Sequence, residues 1–368
     1  MLKRDFVVRK PCLHRSYEIF AVPGTDDIQF QSEGRSLRLK PCDSSGLLDQ
    51  LISLLDGTRT VDDILNEMRD FDESQILDSL QQLFEARLVE DAAPGATRLS
   101  EDQQQFYSSQ LTFFSQYSTE PHRIQDKLAA SQVGVIGLGA IGCSLLSSLA
   151  DNGIGELLGI CCAHDLSGEE SAEERMSQQC RLRNPWVSYR GIRVVDEEWK
   201  SVLESLKGLD FLVLAMEGWN PGRLESLNEA CLETNTMWMP IGIRAQEGYL
   251  GPTIVPHQTA CYKCYELRLK ANLVHYEPHL VYEQHIRAGH IPRQFGRLPQ
   301  FRRTIADMAA LEVIRLLTRF SPPTTYARMF TLDLLTFDTQ FHDVLKLPRC
   351  PACGERAKHR PPFKAWSD

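Results

Sequence analysis

The alternation of apolar and polar residues over the first 90 positions predicts a small α+β module. Three runs rich in β-branched and aromatic residues are each bounded by turn residues, which is typical of short strands; they cover 16–22, 28–31 and 35–40. In the third run Leu37 and Leu39 fall on one face, because successive side chains of a strand point to opposite sides.

The apolar period then lengthens from two residues to between three and four, which predicts helices. The first helical stripe ends at Gly57, and Thr60 and Asp72 are suitable N-caps for two further helices because their side-chain oxygens accept free backbone N–H groups. The last of these helices carries Ile76 and Leu80 on its apolar face. Three strands followed by three helices predict a winged-helix-like arrangement.

A change of composition separates this module from the rest of the chain. Ala, Pro and Gly make up residues 93–96, and an amphipathic stretch follows at 107–114. We therefore expect a winged-helix-like recognition module over 1–92, a linker with an amphipathic arm over 93–130, and a second module over 131–368.

The second module opens on an apolar run that leads into three glycines. Gly137, Gly139 and Gly142 have the G-x-G-x-x-G spacing of a nucleotide-binding turn, and the residues from Cys143 to Asn152 predict a helix behind it. Such a turn lets the backbone approach a phosphate, and the helix N-terminus supplies free N–H groups. A strand–helix turn that binds nothing needs the same glycines, so both interpretations stay open.

Strand-like and helical stretches alternate after this turn. Apolar runs at 157–161, 190–195, 210–215 and 237–241 predict further strands, with helical sequence between them. This alternation is typical of an α/β fold of the Rossmann kind, with a mostly parallel sheet covered by helices on both faces.

Two C-x-x-C pairs carry the strongest chemical signal in the chain. Cys261 and Cys264 form the first pair, and Cys350 and Cys353 form the second. Four thiolates complete the tetrahedral shell of a zinc ion and leave no open position, so the expected site is structural and would attach the C-terminal tail to the α/β module. A redox-active pair and a chance spacing are the alternatives.

Composition and charge limit the classes of protein to which this chain can belong. The chain has 368 residues and a formal net charge of −9, which gives no indication of a nucleic-acid partner. No apolar stretch reaches the ~18 residues of a membrane span, and the charged N-terminus does not resemble a secretory signal. Eleven cysteines without an export signal indicate a reducing compartment, so we expect a cytoplasmic protein.

Several segments together resemble the ThiF and ubiquitin-activating enzymes, roughly over residues 105–355. They follow the same order along the chain, at 107–110, 137–142, 153–156, 183–185 and 251–256, and the first cysteine pair comes next. The first module is similar to the leader-recognition domain of peptide natural-product pathways. The closing stretch at 347–354 resembles the cyclodehydratase branch of this group.

The resemblance implies a maturation protein for a ribosomally synthesised and post-translationally modified peptide (RiPP), of the antibiotic or bacteriocin kind. Such a protein would bind the leader of the precursor peptide and present the core to a YcaO-type ATPase for azoline or azole formation. A homodimer and a structural zinc ion are implied as well. The alternatives are a self-contained ATP-dependent enzyme of the microcin or pantocin kind, which activates precursor carboxylates or amides, and a sulfur-carrier activator.

The chain departs from active members of this group at the nucleotide site. They carry an acidic pair where this chain has Cys161, Cys162 and Ala163, and they carry an N-x-x-R-Q stretch that is missing between 166 and 178. The acidic residue that follows their fourth strand is displaced here to Glu217. Because magnesium requires oxygen ligands, we expect the ATP–magnesium site to be degenerate and assign no catalytic residue.

The predicted crossover at 272–303 contains no cysteine that could act as a nucleophile. It is rich in basic side chains, which would either contact an acidic partner or peptide or lie on a mobile solvated loop. The arginines are Arg287, Arg293, Arg297, Arg302 and Arg303, and the histidines are His275, His279, His285 and His290. The histidine spacing is not diagnostic of a metal site.

We expect the leader peptide to bind the first module as an added strand along the open edge at 35–40, with the third helix as the other wall of the groove. Backbone N–H groups, that of Leu39 among them, would donate to the peptide, and side chains would form a pocket. The candidate peptide-binding residues are Arg35, Leu37, Leu39, Ile76 and Leu80. The alternative for each apolar member is a place in the core of the module.

Overall fold

The computed structural model describes residues 8–41, 46–92, 97–162, 172–194, 203–290 and 296–354. The chain divides into two units, Met1–Asp126 and Lys127–Asp368. The arm that follows the predicted linker therefore belongs almost entirely to the first unit.

The first unit contains the predicted strands and helices. In chain order they are β1 (Pro11–Leu13), β2 (Glu18–Ala21), β3 (Ile28–Gln31), β4 (Ser36–Leu39), α1 (Leu47–Leu54), α2 (Val61–Glu67), α3 (Glu73–Glu85) and β5 (Val89–Asp91). The sequence did not predict β1, which pairs antiparallel with β5. A three-residue strand is too short to show an alternating pattern, and its pairing depends on a partner far along the chain.

The helices begin where the sequence places their caps. The Thr60 side chain accepts the N–H of Asp63, and the Asp63 carboxylate accepts the N–H of Thr60, which forms a capping box. Asp72 accepts the N–H of Ser74 at 2.8 Å. Behind these caps the helices bury their apolar faces against the sheet, where Phe30 is fully buried.

The strands of the first unit leave two edges in the sheet formed by β2, β3 and β4. Their order is β2-β3-β4, and both pairs are antiparallel.

The arm follows as α4 (Glu101–Phe106), α5 (Ser108–Ser115) and α6 (Pro121–Ala129). A capping box between Ser100 and Gln103 begins α4.

The second unit is the expected α/β module. Its elements are β6 (Gln132–Ile136), α7 (Ala140–Asp151), β7 (Glu156–Cys162), α8 (Ala172–Arg183), β8 (Ser188–Val194), α9 (Leu203–Leu206), β9 (Phe211–Met216), α10 (Pro221–Thr234), β10 (Trp238–Arg244), β11 (Glu247–Leu250), α11 (Tyr262–Ala271), α12 (Tyr276–Arg287), α13 (Pro299–Thr318), β12 (Arg328–Asp333) and β13 (Thr339–Asp343).

Eight strands of the described residues form one sheet in the order β13-β12-β11-β10-β9-β6-β7-β8. The five strands from β10 to β8 are parallel, and β11, β12 and β13 continue the sheet antiparallel. The predicted α/β class is confirmed. Because β6 connects to β7 on one side and β9 lies on the other, the carboxyl ends of β6 and β9 border a crevice, the usual place for ligands in such sheets.

None of the helices in the described ranges is long and apolar enough to cross a membrane.

Candidate functional site

The glycine turn joins β6 to α7 at the centre of the sheet. Gly137 has a φ of 91°, a left-handed conformation that favours glycine. A Cβ on Gly137 would collide with the backbone oxygen of Ala215, and one on Gly142 would collide with that of Gly137. These two glycines are therefore required by the packing of the turn, whatever binds there.

The helix behind the turn begins at Ala140, three residues before the predicted start at Cys143. The prediction was wrong because a glycine usually weakens a helix, and Gly142 was taken as part of the turn. The close approach of Gly142 to the backbone of Gly137 makes a glycine necessary inside the first turn of α7.

An acidic side chain of the chain itself lies at the N-terminus of α7. Glu217 follows β9, and its Oε1 accepts the N–H of Ile141 at 3.1 Å. A Cβ on Gly139 would lie 2.7 Å from Cδ of Glu217, so the absence of a side chain at Gly139 makes room for this carboxylate. The free N–H groups and positive end of the helix, which a glycine turn offers to a phosphate, here hold a glutamate.

The neighbouring strand β7 ends at Cys161 and Cys162 in the sequence, where the family resemblance implies an acidic pair. Cys161 is fully buried in β7, while Ala163 and the start of the segment compared with N-x-x-R-Q lie outside the described residues. Burial and the nearby Glu217 carboxylate raise the pKa of Cys143 on α7, so its thiol stays protonated at neutral pH. The turn therefore presents no thiolate nucleophile on α7.

The four predicted metal ligands come together in the second unit. Cys261 is the N-cap of α11 and Cys264 lies in its first turn, while Cys350 and Cys353 belong to the tail after β13. Their sulfur atoms lie 3.5 Å (Cys264–Cys353), 3.6 Å (Cys261–Cys350) and 3.9 Å (Cys261–Cys264) apart, and all four lie within 4.8 Å of one another.

These distances fit one tetrahedral ion. Four sulfurs bound at ~2.3 Å in a tetrahedron would be roughly 3.8 Å apart. Three of the cysteines are buried, and Cys353 is half-buried. The cysteine cluster can therefore hold a metal ion with all four positions filled by the protein.

Hydrogen bonds already favour a thiolate in this cluster. The Cys261 thiol and the backbone N–H of Leu347 both donate to Sγ of Cys264, which lowers the pKa of Cys264 to about 4. Burial raises the pKa of Cys353 to about 11. A cation would have to displace the remaining protons, so metal affinity should rise with pH.

Most described residues of the basic crossover lie in helices rather than in a loop. It contains α12, and Arg287 pairs with Glu225 and Glu283 at 2.8 Å each. Arg297 donates to backbone carbonyls of the second unit. Arg293 lies outside the described residues. In the described part of the chain the histidines of this segment join no metal-binding group; His285 and His290 stack with ring centroids 3.9 Å apart.

The predicted peptide-binding residues fall into two groups. Arg35 donates to the carbonyl of Ala86 at the end of α3 at 2.9 Å, and Leu37 and Leu39 are half-buried on β4. Ile76 and Leu80 of α3 are 1% and 0% exposed in the core of the first unit. A peptide at this edge would therefore meet Arg35, Leu37 and Leu39 before either residue of α3.

The outward-facing backbone groups of β4 differ from those expected. The N–H of Ser32 donates to the carbonyl of Arg35 at 2.8 Å, so alternation along the antiparallel pair directs the backbone groups of Leu37 and Leu39 toward β3. The prediction that the backbone N–H of Leu39 donates to the peptide was wrong for this reason. The N–H groups of Ser36 and Arg38 face the open edge instead.

Comparison with known proteins shows one family. The sequence profile of the ThiF family matches residues 169–353, just over half of the chain. The vegetative HesA protein of Trichormus variabilis is 24% identical over 253 residues, which are 64% of this chain and 86% of that protein. HesA of Leptolyngbya boryana is 25% identical over 252 residues, covering 64% and 82%.

Solved structures share the fold over nearly the whole chain. E. coli MccB determined with ATP has a TM-score of 0.65 at 17% identity and covers 94% of this chain and 99% of its own. The microcin C7 biosynthetic enzyme MccB in complex with N-formylated MccA also scores 0.65, at 19% identity. A heterocyclase in complex with substrate and cofactor scores 0.62 at 19% identity; the match covers 94% of this chain but 39% of that one.

Proposed function

The chain belongs to the ThiF family, and we propose that it is the leader-binding component of a RiPP-modifying complex. In this proposal the first unit binds the leader of a precursor peptide. The protein then presents the core of that peptide to a YcaO-type enzyme, which forms azoline or azole rings.

The open edge of β4 is the observation that carries the proposal. The register of β4 turns the backbone N–H and C=O groups of Ser36 and Arg38 away from β3, and within the described residues no strand pairs with this edge. Such groups accept an extended peptide as an added strand. Arg35 joins the start of β4 to the end of α3, so strand and helix are held as two walls.

The comparisons support a peptide substrate. MccB has been solved with N-formylated MccA, and a heterocyclase of similar fold has been solved with its substrate. This chain spans 39% of the heterocyclase, and in our proposal a YcaO-type enzyme carries out the ring-forming step. The family resemblance also favours a homodimer formed through the second unit.

The proposed function is tested by reconstitution. The precursor peptide encoded beside this chain would be incubated with the neighbouring YcaO-type enzyme and Mg-ATP, with and without the chain, and loss of water from the peptide would be followed by mass spectrometry. We expect ring formation to slow by at least about tenfold without the chain. Equal rates in both reactions would refute the docking role.

We further propose that the glycine turn has little affinity for ATP. Glu217 lies at the N-terminus of α7, where its charge would repel a triphosphate, and β7 ends in thiols rather than in oxygen ligands for magnesium. The Glu217 carboxylate already makes the favourable interaction of an anion with the N-terminus of α7.

Calorimetry with Mg-ATP should show no binding tighter than about millimolar. Glu217→Gln keeps the size of the side chain and removes its charge, so this variant should bind ATP several-fold more tightly, since a charge at a helix terminus contributes about 0.3–1 kcal/mol. Micromolar affinity of the unaltered chain, with pyrophosphate released in the presence of a peptide, would instead support the self-contained ATP-dependent enzyme.

We also propose that the cysteine cluster holds zinc. Four thiolates in tetrahedral positions suit this ion, and because no position is left for water or substrate, the ion would stabilise the fold rather than take part in catalysis.

A further inference from the structure

The last strand of the eight-stranded sheet, β13, is open along its outer edge. Within the described ranges its one neighbouring strand is β12, and all five residues of β13 are exposed. The strand at the opposite end, β8, carries the exposed arginines Arg190 and Arg193, and such charges on an edge strand hinder pairing with another chain. No lysine or arginine occurs in β13, so this protection is missing there.

Exposed apolar side chains are concentrated around β13. Five large ones lie between positions 326 and 345: Tyr326, Leu335, Phe337, Phe341 and Leu345. The ring of Phe341 packs against Phe330 with centroids 5.2 Å apart, yet half of the Phe341 side chain stays exposed. A concentration of exposed apolar groups beside an open strand edge indicates a surface that contacts another protein.

The backbone of β13 presents free groups at alternate residues. The N–H of Val344, just after the strand, donates to the carbonyl of Ala327 at 2.8 Å. Because inward and outward groups alternate along an antiparallel pair, the backbone groups of Gln340 and His342 also face β12. The residues that direct both backbone groups to the open edge are Thr339, Phe341 and Asp343.

This arrangement is symmetric about Phe341, so the edge is complementary to a second copy of itself. In an antiparallel pair of β13 strands with a two-fold axis at Phe341, the two Phe341 residues face each other and Thr339 faces Asp343 of the second copy. Every outward N–H and C=O of the strand then finds a partner. A register shifted by two residues would leave one of the three outward residues outside the paired strands.

The side chains match in the same register. The Thr339 hydroxyl can donate to the carboxylate of Asp343 in the second copy, and that carboxylate is already paired within its own chain with Arg328 at 2.7 Å. The two Phe341 rings form an aromatic pair on the axis. Phe337 and Leu345 are 72% and 63% exposed and lie four positions before and after Phe341, so each would meet the other across the axis.

We propose that two copies of the chain associate through β13, which joins their sheets into one continuous sheet across a two-fold axis at Phe341. The inference names the surface of the homodimer in the proposed function and therefore rests on that part of it. It requires neither leader binding by the first unit nor a YcaO-type partner.

Sedimentation of the full chain at micromolar concentrations tests this surface. Phe341→Asp removes the two central rings and places two carboxylates opposite each other, so the dissociation constant between copies should rise by at least about tenfold. The bonds from β13 to β12 do not involve the Phe341 side chain, so this variant should fold. Leu182→Asp changes a side chain that is 77% exposed on α8 and is the matched control, which should associate like the unaltered chain.

A disulfide between copies tests the register. Gln340 of one copy faces His342 of the other as a pair without backbone hydrogen bonds, with Cα atoms about 4.5 Å apart, a separation that a disulfide can span. The double variant with Gln340→Cys and His342→Cys should therefore form covalent dimers under mild oxidation, observed on non-reducing gels, with the linked peptides identified by mass spectrometry. Each single variant faces an unaltered residue and should form far fewer. This test does not depend on the folding of Phe341→Asp.

The outcomes distinguish the β13 surface from the homodimer as such. An unaltered chain that sediments as one chain at these concentrations would overturn both. If the unaltered chain associates but Phe341→Asp does so equally well and the double variant forms no link, the copies meet through another face and the β13 surface is excluded.

Discussion

Replacing Cys353 by alanine is expected to reduce zinc from one ion per chain to well below one and to release the C-terminal tail. Apart from the cluster, the tail is joined to α11 by the bond from Arg268 to the carbonyl of Leu345 at 2.7 Å. Binding free energy at a four-thiolate zinc site is about 10–16 kcal/mol, and it becomes folding free energy because the ligands are not arranged in the unfolded chain. Losing one ligand removes a large part of that stabilisation.

Metal analysis and limited proteolysis of the purified chain would measure both effects. Cys180→Ala is the matched control, because Cys180 is a fully buried thiol on α8 that lies outside the cluster. That variant should keep its zinc and its protected tail. Well under one zinc ion per chain in the unaltered protein would show that the cluster is not a zinc site.

The substitution Arg38→Pro is expected to abolish binding of the leader peptide while leaving the first unit folded. The N–H of Arg38 faces the open edge of β4, and proline removes that donor; an edge position with an outward N–H is one of the few places where a sheet tolerates proline. Arg38→Ala keeps the N–H and loses the side chain, which pairs with Asp27 at 3.2 Å. We expect this control to retain most of the affinity.

Fluorescence anisotropy with the labelled leader peptide would compare these variants, with circular dichroism to establish that each is folded. Leu39→Pro should act differently: its N–H faces β3, so this substitution should separate β4 from β3 and destabilise the unit itself. A chain that begins at Ser100 should not bind. Affinity equal to that of the full chain in this truncated form would place the leader site elsewhere.

Local sequence signals determined much of the fold because their causes lie within a few residues. Thr60 and Asp72 begin helices by accepting N–H groups two or three positions ahead, and the glycine turn follows from its own spacing. The C-x-x-C pairs likewise identified the four members of the cysteine cluster, since thiols at this spacing can share one ion.

Only the tertiary structure decided which long-range partners meet at each site. Glu217 reaches the N–H of Ile141 across 76 positions of sequence because β9 lies beside β6 in the sheet. The backbone N–H of Arg38 faces the open edge because of the register of β4 against β3, and a shift of one residue would turn it toward β3. The ion pair between Arg287 and Glu225 required the packing of α12 beside α10. The sequence by itself therefore determined the fold class, the helix caps and the members of the cysteine cluster. Strand order, register and helix packing decided what occupies the glycine turn and which groups the open edge presents.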